Sequence, residues 1–92
     1  MPPLEQEVLA VVQRIFRTEL EYGGPVEVGF DLLRDLHVDS LNAVVLAVGL
    51  EDHFRVRLEA QDTVGVTTVG DLVARVAERV RVTRDGGPDS AT

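Results

Sequence analysis

The chain has 92 residues, 45% of them hydrophobic, and no cysteine. That allows one domain with a core of Val and Leu rather than aromatics, and it excludes disulfides and thiolate metal sites. A formal charge of -7, from 16 acidic against 9 basic residues, argues against nucleic acid and anionic membrane and suits partners with basic surfaces.

No basic stretch leads into an apolar run at the N-terminus, and no window approaches the roughly 20 apolar residues that span a bilayer, so a cytoplasmic protein is expected. The first helix is expected from about Leu4 to Leu20. Pro2 and Pro3 stand where a helix start tolerates them, and Leu4, Val8, Val11, Val12, Ile15 and Leu20 form one apolar face. Tyr22-Gly23-Gly24-Pro25 stops it. A long connection from Val26 to Val38 follows, with Phe30, Leu32, Leu33 and Leu36 as apolar anchors. A connection of this length either packs on the core or serves function.

The second helix is expected from Ser40 to about Phe54. Asn42 is the one polar side chain between Leu41 and Leu50. A domain this small cannot bury a helix on every side, so two stripes are distinguished. Ala43, Leu46, Ala47, Leu50 and Phe54 make a core face; Leu41, Val44, Val45 and Val48 are left near the surface beside Ser40. Glu59 to Val64 is read as one helical turn. Thr68 and Asp71 have capping-box spacing and open the last helix, whose face is Val69, Leu72, Val73, Val76 and Val80. The fold expected is all-α, three main helices plus a short one, with one folded domain over residues 1–82. The tail at 83–92, with Gly86-Gly87-Pro88, is expected to be disordered.

The chain has two serines, and Ser90 lies in that tail. Ser40 is thus the hydroxyl held at a defined point, where a serine caps backbone N–H groups and a helix favours negative charge. A phosphate ester on it would occupy an anion site already built. The run Asp35-Leu36-His37-Val38-Asp39-Ser40-Leu41 resembles the attachment motif of acyl carrier proteins. Asp31-Leu32 before it, Leu50-Glu51-Asp52-His53-Phe54 at the end of the second helix and Thr67-Thr68-Val69-Gly70-Asp71-Leu72 agree in order and register. The resemblance covers about residues 4 to 82.

It implies a carrier and not an enzyme. A phosphopantetheinyl transferase would use coenzyme A and Mg²⁺ to place a 4'-phosphopantetheine arm on Ser40. The arm's thiol would hold acyl groups as thioesters, which explains how a chain without cysteine could do thiol chemistry. Asp39 would assist the transferase or its metal, or serve as a helix N-terminal charge. Partners implied are acyl-loading and acyl-processing enzymes such as ketosynthases or acyltransferases, met by a monomer.

Two departures from the family pattern stand out. His37 occupies a turn position where the family tends to have Gly, so a positive φ is expected there. The face after the serine, normally acidic, carries Asn42 and Val45, which points to polyketide or other secondary metabolism rather than general fatty-acid synthesis. Apolar contact through Leu41, Val44, Val45 and Val48 should dominate near the arm, with Glu51 and Asp52 meeting Arg-rich partner surfaces farther along. A peptidyl carrier and an unmodified helical interaction module remain the alternatives. A serine hydrolase lacks its Gly-x-Ser-x-Gly elbow, and His37 and His53 have no accompanying cluster for a metal.

Overall fold

The periodic segments fold into three α-helices in a computed structural model that describes residues 2–90, with the backbone alone at 60 and 85–90. Helix α1 spans Pro3–Thr18, α2 Ser40–Phe54 and α3 Val69–Ser90, with a short 3-10 turn at Ala60–Thr63. Among the described residues there is no strand, only an isolated antiparallel bridge between Asp31 and Thr68. The all-α bundle expected from the sequence is what forms.

The apolar face of α1 is buried at Val8, Val11, Val12 and Ile15 as the periodicity requires, and Phe16 joins it. Phe16 lies edge-on to Tyr22 with ring centroids 5.9 Å apart, a favoured aromatic geometry. The helix closes at Thr18, short of Leu20. The turn after it is held by Leu20 and Tyr22 N–H groups donating to the Ile15 and Phe16 carbonyls at 3.1 and 2.8 Å. Helix α1 packs against both α2 and α3. Gly49 lets α2 come close: a Cβ there would stand 2.7 Å from Ile15 Cδ1.

The long first connection is tied to the bundle by backbone and side chain together. Val26 and Leu36 are buried, and Phe30 and Leu32 pack partly against the core. Leu33, expected as an anchor, is instead 67% exposed. The cause is local: Asp31 Oδ1 accepts from the Leu33 and Arg34 N–H groups at 2.9 and 2.8 Å, building a turn whose outer side carries Leu33. Three backbone bonds then fasten this connection to the start of α3, from Leu32 N to Thr67 O, Val69 N to Phe30 O and Gly70 N to Val28 O, at 2.8 to 2.9 Å.

The expected capping box of α3 forms in both directions. Asp71 N–H donates to Thr68 Oγ1, and Asp71 Oδ2 accepts from the Thr68 and Thr67 N–H groups and the Thr67 hydroxyl, at 3.0 to 3.1 Å. These donors, led by the Thr67 N–H, hold the Asp71 carboxyl below the usual carboxylate range. Val69, Val73, Val76, Ala77 and Val80 of α3 are buried. Its backbone continues helical to Ser90, where the sequence suggested a disordered tail from residue 83. Arg81, bonded to Glu5 Oε1 at 2.8 Å, anchors the first turn of that extension; nothing in the sequence favours helix over Gly86-Gly87-Pro88. Residues 91–92 lie outside the described residues.

Candidate functional site

The N-terminus of α2 is delivered by a reversal in the preceding turn. His37 takes φ 56°, the left-handed geometry expected at this position, while its N–H bonds Leu33 O at 3.1 Å and Val38 N–H bonds Leu32 O at 2.8 Å. The chain leaves this reversal extended, and Asp39 is the helix N-cap with φ -95° and ψ -173°. Its carboxylate Oδ1 accepts from the Asn42 N–H at 2.8 Å. The cap is therefore Asp39 and not Ser40, because only the residue just outside the helix has the backbone angle that turns a side-chain oxygen back onto it.

Ser40 is consequently released. It is the first residue of α2 and exposed. Among the described residues nothing hydrogen-bonds its hydroxyl, and the Ser40 and Leu41 N–H groups have no acceptor. A free hydroxyl thus stands beside two free donors at the positive end of a helix, with no acidic side chain in the first turn. This arrangement fits a phosphodiester on Ser40 Oγ: its oxygens would meet the free N–H groups, and its bulk would meet solvent.

The outer stripe of α2 matches expectation at three positions. Leu41, Val44 and Val48 are 71, 58 and 55% exposed. Val45 is different: it is half-buried and packs against the core, whereas Ala43, expected inside, is exposed. Glu51 is half-buried, and its Oε2 accepts from the Leu58 N–H at 2.7 Å and holds the segment after α2. Asp52 remains an exposed acid. Arg55, at φ 56°, closes α2 in a left-handed cap that no glycine announces.

Between α2 and α3 lies a cavity of about 370 Å³. Val38 and Ala43, close in sequence to Ser40, line it together with Val44, Leu46, Ala47, Leu58, Leu72 and Val76. Its other wall brings in Asp62 and Arg75, which spacing alone did not connect to the site. Asp62 is buried; it accepts from the Glu59 N–H at 2.8 Å and from Arg79 Nη2 at 2.7 Å. Those two donors, the backbone one first, hold its carboxyl below the usual range. Among the described residues no cluster suited to a metal ion is found, and no helix is long and apolar enough to cross a membrane.

Comparison with known proteins shows the family. The family model described as "Phosphopantetheine attachment site" matches residues 8–76. The chain belongs to the phosphopantetheine-attachment family, as an acyl carrier protein. It is 35% identical over 78 residues to the meromycolate extension acyl carrier protein of Mycobacterium tuberculosis, covering 83% of this chain and 67% of that one. Over the same length it is 36% identical to an acyl carrier protein of Rhodococcus erythropolis, covering 83% of this chain and 85% of the relative. A solved structure from Mycobacterium tuberculosis, described as a candidate acyl carrier protein, superposes with TM-score 0.64 at 33% identity, covering 82% of this chain and 96% of that one. The protein is accordingly a carrier and not an enzyme, its cofactor is phosphopantetheine, and its work implies contact with acyl-processing enzymes.

Proposed function

We propose that this acyl carrier protein bears its arm on Ser40 and serves acyl-chain extension in a specialised pathway, of the polyketide type or closely allied to it. The single observation that carries the site assignment is the free hydroxyl at the first residue of α2, capped by its neighbour and flanked by two unbonded N–H groups. Asp39 holds the helix start rigid while leaving Ser40 Oγ open to a transferase. The free N–H groups favour the negative charge of the ester once it is made. When attached, the arm supplies the thiol on which acyl groups travel as thioesters.

Two observations support the pathway class. Relatives matched over most of the chain are named for meromycolate extension. The middle of α2 presents Leu41, Val44 and Val48 where an acidic face would serve general fatty-acid enzymes. Ketosynthase or acyltransferase partners with an apolar docking strip fit this surface, as does a monomeric, cytoplasmic carrier. Incubating the apo protein with coenzyme A, Mg²⁺ and a broad-specificity phosphopantetheinyl transferase tests the reading by intact mass. A gain of one phosphopantetheine located on Ser40 supports it; an unchanged mass contradicts it.

A further inference from the structure

Leu32, Leu33 and Leu36 stand close together in the first connection, and the fold turns only Leu33 outward. Leu36 is buried and Leu32 packs partly against the core, whereas Leu33 is exposed. A single exposed leucine is ordinary on a protein surface; this one is distinguished by how firmly it is held there. The Leu33 and Arg34 N–H groups donate to Asp31 Oδ1 at 2.9 and 2.8 Å, and the Asp31 N–H donates to Asp35 Oδ2 at 2.7 Å. The Leu33 carbonyl accepts from the His37 N–H at 3.1 Å, and the Leu32 N–H donates to Thr67 O at 2.9 Å. Both backbone groups of Leu33 are thus taken, and its neighbour is pinned to the segment that opens α3. The side chain cannot turn inward without breaking this turn. An apolar group fixed before binding loses little freedom when it is covered.

Leu33 belongs to the Ser40 end of the molecule. The His37 and Val38 N–H groups bond the Leu33 and Leu32 carbonyls, which sets Leu33 beside the two residues that lead into Asp39 and Ser40. Leu41, exposed as well, follows Ser40 directly. An enzyme that acts on cargo works at the far end of an extended arm. The transferase that attaches the arm must instead bring its own reacting groups to Ser40 Oγ, so the surface bordering Ser40 is where that enzyme has to rest. We propose that Leu33 is a docking residue for the phosphopantetheinyl transferase, seated in an apolar depression of that enzyme while coenzyme A is presented to Ser40. This rests on the carrier reading with the arm at Ser40. At residue 33 the turn offers a partner methyl groups and no free hydrogen-bonding atom, so the matching surface is apolar.

Initial rates of arm transfer to the apo protein test this. They are read by intact mass against carrier concentration, with a broad-specificity phosphopantetheinyl transferase, Mg²⁺ and saturating coenzyme A. Leu33→Ser should raise KM for the carrier about tenfold, the effect of uncovering roughly half a leucine side chain, and leave kcat unchanged. Leu33→Gln, polar but of similar size, should raise KM as well, and it decides alone if Leu33→Ser does not fold. Leu33→Met restores an apolar side chain and should return KM to near the wild-type value. Val82 supplies the control: it is exposed too, but it follows Arg81, which meets Glu5 at the start of α1. That part of α1 faces the far end of α2, where Glu7 stands 3.7 Å from His53. Val82→Ser should leave KM unchanged. No arm on any species would overturn the carrier reading, and this proposal with it. Transfer whose KM ignores the residue at 33, or a KM raised as much by Val82→Ser, would overturn the docking role and leave the carrier reading standing.

Discussion

Asp39 and Ser40 divide two jobs that a single serine is often asked to do. A capping side chain is consumed by the N–H it accepts from, and a hydroxyl so engaged is less available to attack or to be esterified. Here Asp39 Oδ1 takes the Asn42 N–H at 2.8 Å, and Ser40 Oγ has no partner among the described residues. Asp39→Ala should thus cost about 1 kcal/mol of stability, the usual value of an N-cap, measured by urea unfolding. It should also slow modification through a loosened helix start while leaving Ser40 the modified residue. The division could not be read from the residues alone, because Asp and Ser are both strong caps and adjacent; only the backbone angle of Asp39 separates them. His37 was legible for a different reason. A position that must turn the chain back takes positive φ, and His at φ 56° meets that need at modest strain.

At the scale of elements, α1 and α3 were readable because polar residues bracket their apolar faces and so fix which side turns inward. Helix α2 was not, since it is apolar nearly all round. Its true orientation buries Leu46, Leu50 and Phe54, draws Val45 half inside and turns Ala43 out. The proposed docking strip is accordingly Leu41, Val44 and Val48, with Asp52 as the exposed acid beyond it. Val44 also lines the cavity, so a change at Val48 probes the exposed strip alone. Val48→Glu is expected to weaken binding of the holo protein to its ketosynthase or acyltransferase more than Asp52→Asn does, with little change on raising salt. Calorimetric titration at low and high salt checks this; the reverse order, with strong salt dependence, would make recognition electrostatic.

The pair Asp62–Arg79 clamps the 3-10 turn onto α3 beside the cavity. Asp62 titrates below the usual carboxylate range in the folded protein, so its contribution is fully present above that range. It is lost as pH falls through the folded value, where the native carboxylate must finally take a proton. Asp62→Asn should therefore lower the melting temperature at neutral pH. The gap between variant and wild type should narrow as the medium becomes strongly acidic. A gap that stayed constant with pH would assign the effect to packing instead. Sequence pattern placed the turn correctly but could not show this clamp, because its partners are far apart in the chain and meet only when α3 packs.

On the whole molecule, the core runs from Val8 on α1 to Val80 on α3, with Leu50 fully buried between them. We propose that the folding unit is complete by residue 82, after Arg81 has met Glu5. Removing residues 83–92 should leave the melting temperature unchanged and the modification intact, as scanning calorimetry and intact mass would show. A large fall in melting temperature would mean that the last turns of α3 stabilise the bundle. The cavity belongs to this scale as well. Residues from the first connection, α2, the 3-10 turn and α3 build the cavity, so no local pattern announces it.

One hydroxyl, at Ser40, is proposed to take the phosphopantetheine arm. Intact-mass and tandem mass spectrometry of the wild type and Ser40→Ala, each incubated with coenzyme A, Mg²⁺ and a broad-specificity transferase, test it most directly. Ser40 is exposed and caps nothing, so Ser40→Ala should stay within about 0.5 kcal/mol of wild-type stability. The wild type should gain one arm, on the peptide containing Ser40, and folded Ser40→Ala should gain none. An arm found on another residue, or retained by folded Ser40→Ala, would contradict the assignment.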